Sequence, residues 1–198
     1  MDQLPFSQAA QNNQAPILVQ LRRLLANSRR VVELGAGTGQ HAVAFASALA
    51  PLRWQPSEHP EALPILMLRC ANAGLKNLDV PIALDMSQRP WPVQWPDALY
   101  TANTLHIVAE SLVEALFCAC AEQASPGSLL LVYGPFNYAG EFTSESNAHF
   151  DLWLKDRDAR SGIRDFEWVN ELAERAGFAL DEDIAMPANN RLVCWHKC

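Results

Sequence analysis

The stretch Val31-Val32-Glu33-Leu34-Gly35-Ala36-Gly37-Thr38-Gly39-Gln40 decides the fold, because an apolar run passes directly into a carboxylate and three glycines at alternate positions. Glycine there permits positive φ and lets a ligand approach where a Cβ would stand. The apolar run from Ala42 to Leu49 continues as a helix, whose first N–H groups lack partners within the helix and face the turn. Strand, turn and helix N-terminus together hold an anionic group, and Glu33 selects among ligands that carry one. A dinucleotide would set its pyrophosphate against a like charge. An ammonium group would instead gain roughly 4 kcal/mol, for unit charges about 4 Å apart at an effective dielectric constant of about 20. S-adenosyl-L-methionine has an amino group and a carboxylate at one end, so Glu33 takes the first and the helix N-terminus the second. It is the expected cofactor.

Outward from this turn, short apolar runs alternate with amphipathic stretches, which implies a doubly wound, mostly parallel sheet with helices on both faces. The spacing predicts strands over 30–34, 52–57, 80–84, 98–102, 128–133, 178–185 and 191–196. The last two are joined closely enough for an antiparallel hairpin. Helices are expected from Pro16 for about 11 residues and over 40–50, 60–73, 105–123 and about 146–158, with a last one opened by Asp165 and ended by Gly177. The whole of 1–198 is expected to be one domain, with an N-terminal cap over about 1–27 and an aromatic-rich insertion over about 134–165.

Composition narrows the class. With 198 residues, 49% hydrophobic and 19% charged, the chain can bury one substantial core. A net charge of −7 leaves no electrostatic footprint for a phosphate backbone, which argues against nucleic acid as the main partner. No apolar run approaches the roughly 20 residues that cross a bilayer. The opening residues lack the basic start and apolar core of an export signal, so a cytoplasmic protein without a membrane partner is expected. Cysteines 70, 118, 120, 194 and 198 are odd in number and without paired C-x-x-C spacing, so neither a disulfide framework nor a metal site is implied.

The Glu33-x-Gly35-x-Gly37-x-Gly39 turn, the order of elements and the closing hairpin resemble the seven-stranded class I S-adenosylmethionine-dependent methyltransferases over nearly the whole chain, which implies a Rossmann-like fold and that methyl donor. More narrowly, Trp54-Gln55-Pro56-Ser57-Glu58, Tyr133-Gly134-Pro135-Phe136, Ser146-Asn147-Ala148-x-Phe150-Asp151 through Arg157-Asp158, and Gly162-Ile163-Arg164-Asp165 resemble an uncharacterised methyltransferase-like family that includes animal methyltransferase-like protein twenty-six. For that family the fold and donor are implied by similarity, and the acceptor is not.

The ligand crevice of such a sheet opens at the carboxyl ends of its strands, beside strand one. Glu58, 21 positions after Gly37, can accept hydrogen bonds from both ribose hydroxyls, or can be a surface carboxylate beside His59. Asp85 stands where similar methyltransferases place an acid against the adenine amino group, and equally suits a strand-end turn. Asn103 either bonds the ligand or caps the next helix. His106 can act as base toward an acceptor hydroxyl or thiol, or be a histidine satisfied in a helix's first turn. Phe136, Asn147, Asp151, Arg157 and Arg164 are candidate acceptor contacts, against the alternative of a lid that pairs its own charges, such as Asp151 with Lys155. Asn12-Asn13 can close over the donor or cap.

A sulfonium donor brings its own reactivity, so few catalytic groups are required. The expected reaction is methyl transfer to a small molecule or protein side chain. Two alternatives stay open: a binding or scaffold protein of the same shape, since a fold does not establish an activity, and, through Gly37-x-Gly39-x-x-Ala42, a nicotinamide-dependent oxidoreductase.

Overall fold

Val31 and Val32 bury their side chains on opposite faces of one sheet, and that alternation continues through the central strands. In the computed structural model, which describes residues 4–198, the chain forms α1 (Gln8–Leu24), β1 (Arg30–Leu34), α2 (Gln40–Ala48), β2 (Arg53–Glu58), α3 (Leu63–Ala73), β3 (Ile82–Ala83), β4 (Ala98–Ala102), α4 (Glu110–Gln123), β5 (Leu129–Gly134), β6 (Phe136–Asn137), α5 (Glu145–Arg157), β7 (Arg164–Asp165), α6 (Phe166–Arg175), β8 (Phe178–Met186) and β9 (Asn190–Lys197). Seven strands lie in the order β3-β2-β1-β4-β5-β9-β8. Neighbours are parallel from β3 to β5, and β9 is antiparallel to both β5 and β8. The expected sheet, with its closing hairpin, is therefore present.

Each face has its own apolar layer. On one, Ile17 and Leu21 of α1 and Phe45 of α2 pack on Val31, Trp54, Tyr100 and Leu131. On the other, Leu116 and Phe117 of α4 and Val169 of α6 pack on Val32, Leu99, Leu130, Val132 and Trp195. Strands buried on both faces read as mostly apolar runs, which is how β1, β4 and β5 appear in the sequence. Chain order reverses between β1 and β4, so a crevice opens there at the carboxyl ends of the strands.

Several boundaries differ from expectation. The first helix begins at Gln8, not Pro16: the Ser7 hydroxyl caps it by accepting from Ala10 N at 3.2 Å, and Pro16 lies inside the helix. An interior proline removes one helical bond, and packing of Ile17 and Leu21 outweighs it. The fourth helix begins at Glu110, not Leu105, because Asn103 takes a left-handed φ of 57° and residues 103–109 run as a turn. The third strand shrinks to Ile82–Ala83, and α3 starts at Leu63 with Pro64 in its first turn. The pair β6 and β7, which ties the start of the 134–165 segment to its end, was absent from the sequence reading. Residues 1–3 of the expected N-terminal cap lie outside the described residues.

Candidate functional site

Gly35, Gly37 and Gly39 all take positive φ, of 68°, 55° and 77°. Two of them face the protein's own atoms. A Cβ on Gly35 would stand 2.9 Å from Thr104 Oγ1, and one on Gly39 would stand 2.7 Å from Leu66 Cδ1. A Cβ on Gly37 would meet nothing within 4 Å. Gly37 is the turn's open face, and beside it a cleft of about 240 Å³ is lined by Glu33, Gly35, Gly37, His41 and Asn103 among others.

Glu33 is 2% exposed, at the carboxyl end of β1. Its Oε2 accepts from Trp54 Nε1 at 2.7 Å. Burial raises its pKa to about 7, with the Trp54 N–H opposing and the Glu58 charge adding. A half-ionised acid on a cleft wall is suited to a cation that would restore its charge. The α2 N-terminus behind it has no side-chain cap on its Gly39 position. The residues present therefore fit the amino-acid end of S-adenosyl-L-methionine.

The start of α1 roofs this cleft. Gln40 binds both sides of Ser7: its Oε1 accepts from Ser7 N at 2.5 Å and its Nε2 donates to Ser7 O at 3.2 Å. Pro5 O accepts from Arg69 Nη2 at 2.5 Å. His41 Nε2 meets Ala10 O at 3.1 Å and Asn13 Oδ1 at 2.7 Å, and burial lowers its pKa to about 4, so the ring is neutral and donates.

Glu58 ends β2 and reaches the turn itself: Oε2 accepts from Gly37 N at 2.6 Å and Oε1 from His59 N at 2.8 Å. Asp85, after β3, has Oδ1 accepting from Ser87 Oγ at 2.7 Å and Ser87 N at 2.8 Å; these bonds, with a smaller contribution from the charge of His59 beside Glu58, lower its pKa.

Asn103 lines three adjoining cavities: the glycine-turn cleft, one of about 450 Å³ containing His106, and one of about 340 Å³ toward the β8–β9 turn. The buried His106 ring meets Phe150 edge-on with centroids 5.4 Å apart, and Phe150 stacks on Trp153 at 5.7 Å. Burial, with the Arg164 charge adding, lowers the His106 pKa to about 4, which leaves the imidazole neutral. Arg157 lies over the Trp153 ring at 4.6 Å and lines the same cavity.

Not every nominated acceptor contact reaches these cavities. Phe136 is buried in the core against Phe166. Asp151 Oδ1 accepts from Ile163 N at 2.7 Å, and its Oδ2 pairs with Lys155 Nζ at 2.6 Å. Arg164 donates to Leu105 O, Val108 O and Arg160 O and pairs with Glu110 at 3.1 Å. Arg164 thus holds the 134–165 segment against the turn after β4, and Asp151 ties the segment's helix to its own end at Ile163, because a buried charge must be satisfied by the protein itself. Asn147 and Arg157 do line cavities. Ser7, Gln40, His41, Ile107 and Asn190 were missed. Gln40 and His41, directly after Gly39, carried a readable signal; Asn190 carried none.

The model of a family described as "Protein of unknown function (DUF938)" matches residues 4–197. Among solved structures, the chain is similar to the S-adenosylmethionine-dependent methyltransferase SibL in its apo form, with 23% identity, 96% of this chain and 55% of that chain covered, and a TM-score of 0.79. It is likewise similar to an O-methyltransferase family 2 protein from Planctomyces limnophilus in complex with apigenin (19% identity, 96% and 58% covered, TM-score 0.80). Human N-acetylserotonin methyltransferase in complex with SAM is a further match (16% identity, 96% and 58% covered, TM-score 0.76). The chain spans a little over half the length of these proteins. The likeness establishes the class I methyltransferase fold.

Proposed function

We propose, of a chain that belongs to the family described as "Protein of unknown function (DUF938)", that it is an S-adenosyl-L-methionine-dependent methyltransferase acting on a small molecule or protein side chain. The observation that carries this is the buried Glu33 carboxylate beside the open face of Gly37, in a cleft roofed by α1. Glu33 would hold the donor's ammonium group and the α2 N-terminus its carboxylate. Glu58 would hold the ribose, Asp85 the adenine amino group, and Asn103 the junction with the acceptor. When bound, the donor supplies an electrophilic methyl group. The chain's residues orient the acceptor and exclude water. His106, neutral and buried against Phe150, would accept the proton that an acceptor hydroxyl or thiol releases. An anionic dinucleotide is disfavoured by Glu33, and a nucleic-acid acceptor by the net charge of −7.

The test incubates the protein with methyl-labelled donor and a cell extract separated into small-molecule, protein and nucleic-acid fractions. Label is expected in one of the first two and absent with Glu33→Gln. Donor binding without label in any fraction would select a second reading, a non-catalytic binding protein. One feature favours that reading: His106 is a weak base at a pKa of about 4.

A further inference from the structure

Five asparagines from four parts of the chain line one cavity: Asn12 and Asn13 on α1, Asn103 after β4, Asn147 on α5 and Asn190 at the start of β9. Its volume is about 340 Å³, within the range of small-molecule sites. Phe150, shared with the His106 cavity, supplies a flat apolar wall. Among the described residues, no acidic or basic side chain lines it. We infer that this cavity recognises an uncharged, planar carboxamide or lactam group of the ligand. As the binding site of a methyl acceptor, it rests on the function proposed above.

The amides are oriented by their other bonds. On the α1 side, Asn12 Oδ1 accepts from Gln8 Nε2 at 2.8 Å and Asn13 Oδ1 from His41 Nε2 at 2.7 Å, so both turn their N–H groups the other way, Asn13 toward the Tyr133 hydroxyl that lines the same cavity. On the other side, Asn147 Nδ2 donates to Thr143 Oγ1 at 2.9 Å and Asn190 Nδ2 to Pro187 O at 3.2 Å. Their Oδ1 atoms have no protein partner among the described residues. One wall thus offers donors and the other acceptors, the complement of a group carrying both C=O and N–H. A charged ligand would lose its hydration without meeting a counter-charge.

The probes are benzamide and benzoate, equal in shape and different in charge, titrated into the full chain by ligand-observed NMR with and without S-adenosylhomocysteine. Benzamide is expected to bind at least tenfold more tightly than benzoate. Asn147→Leu should weaken benzamide at least tenfold. The Asn147 side chain also ties α5 to Thr143 and Asn189, so Asn12→Leu, at an exposed position whose side chain bonds only Gln8 among the described residues, is the second variant and should weaken it several-fold. Equal binding of both probes, preference for benzoate, no binding to folded protein, or indifference to both variants would overturn the inference. If S-adenosylhomocysteine fails to bind while amide selectivity holds, the donor reading falls and the asparagine site stands.

Discussion

The glycine turn at 33–40 and the segment at 134–165 both border the crevice, yet they are built in opposite ways. The turn presents backbone and one carboxylate, all within eight consecutive residues; Glu58 and Trp54 hold its Gly37 N–H and Glu33 oxygen in place, and the space over Gly37 is left open. The segment carries most of the charged and aromatic residues near the crevice and spends many of them on itself. Arg164 and Asp151 satisfy backbone groups, and Phe136 fills core. Polar residues in a long loop are thus first a means of ordering that loop, and only the remainder meets ligand.

The largest expected effect contrasts two arginines of the segment. Arg164→Ala removes a buried clamp on three carbonyls and should destabilise the protein by about 3 kcal/mol or more in urea unfolding. Arg157→Ala, exposed over Trp153, should cost about 0.5 kcal/mol or less while weakening acceptor turnover. Equal losses would erase the distinction between holding and binding.

Acid probes both sides at once. His41 under α1 and His106 beside Phe150 are held at about 4, against 6.5 in the unfolded chain. The stability they confer is complete above pH 6.5 and is lost as pH falls toward 4, by up to roughly 3 kcal/mol for each ring. His41→Gln keeps the N–H donor without the titration and should flatten that decline. Glu33 runs the other way: its raised pKa gives stability that is present below about 4.5 and lost as pH rises through about 7.

Within the turn, Gly39→Ala should cost about 2 kcal/mol or more, since its Cβ would press on Leu66. Gly37→Ala, with open space, should cost about 1 kcal/mol in stability and lose donor affinity. The same stability loss in both would mean that the turn's open face is packed.

The middle of the sheet was legible because β1, β4 and β5 bury both faces and the turns announce themselves in glycine, proline and asparagine. The donor side was legible for the same local reason. The helical start at Gln8 was hidden by Pro16, whose penalty is overcome by packing and by Gln40 and His41, contacts 31 to 33 residues away. The acceptor side depends on which of many polar residues find partners inside the fold, and Arg164 beside Arg157 gives no hint of that in sequence. Asn190 reaches its cavity only because the β8–β9 hairpin folds back toward α5.

The role proposed for Glu33 is to hold the donor's ammonium group. Calorimetric titration of S-adenosyl-L-methionine between pH 6 and pH 8 should show affinity rising about tenfold, as an acid of pKa about 7 passes from mostly protonated to mostly ionised. Glu33→Gln should bind at least tenfold more weakly at pH 8 with no such rise. Equal affinity of the two proteins across that range, or no binding to the folded wild type, would contradict it.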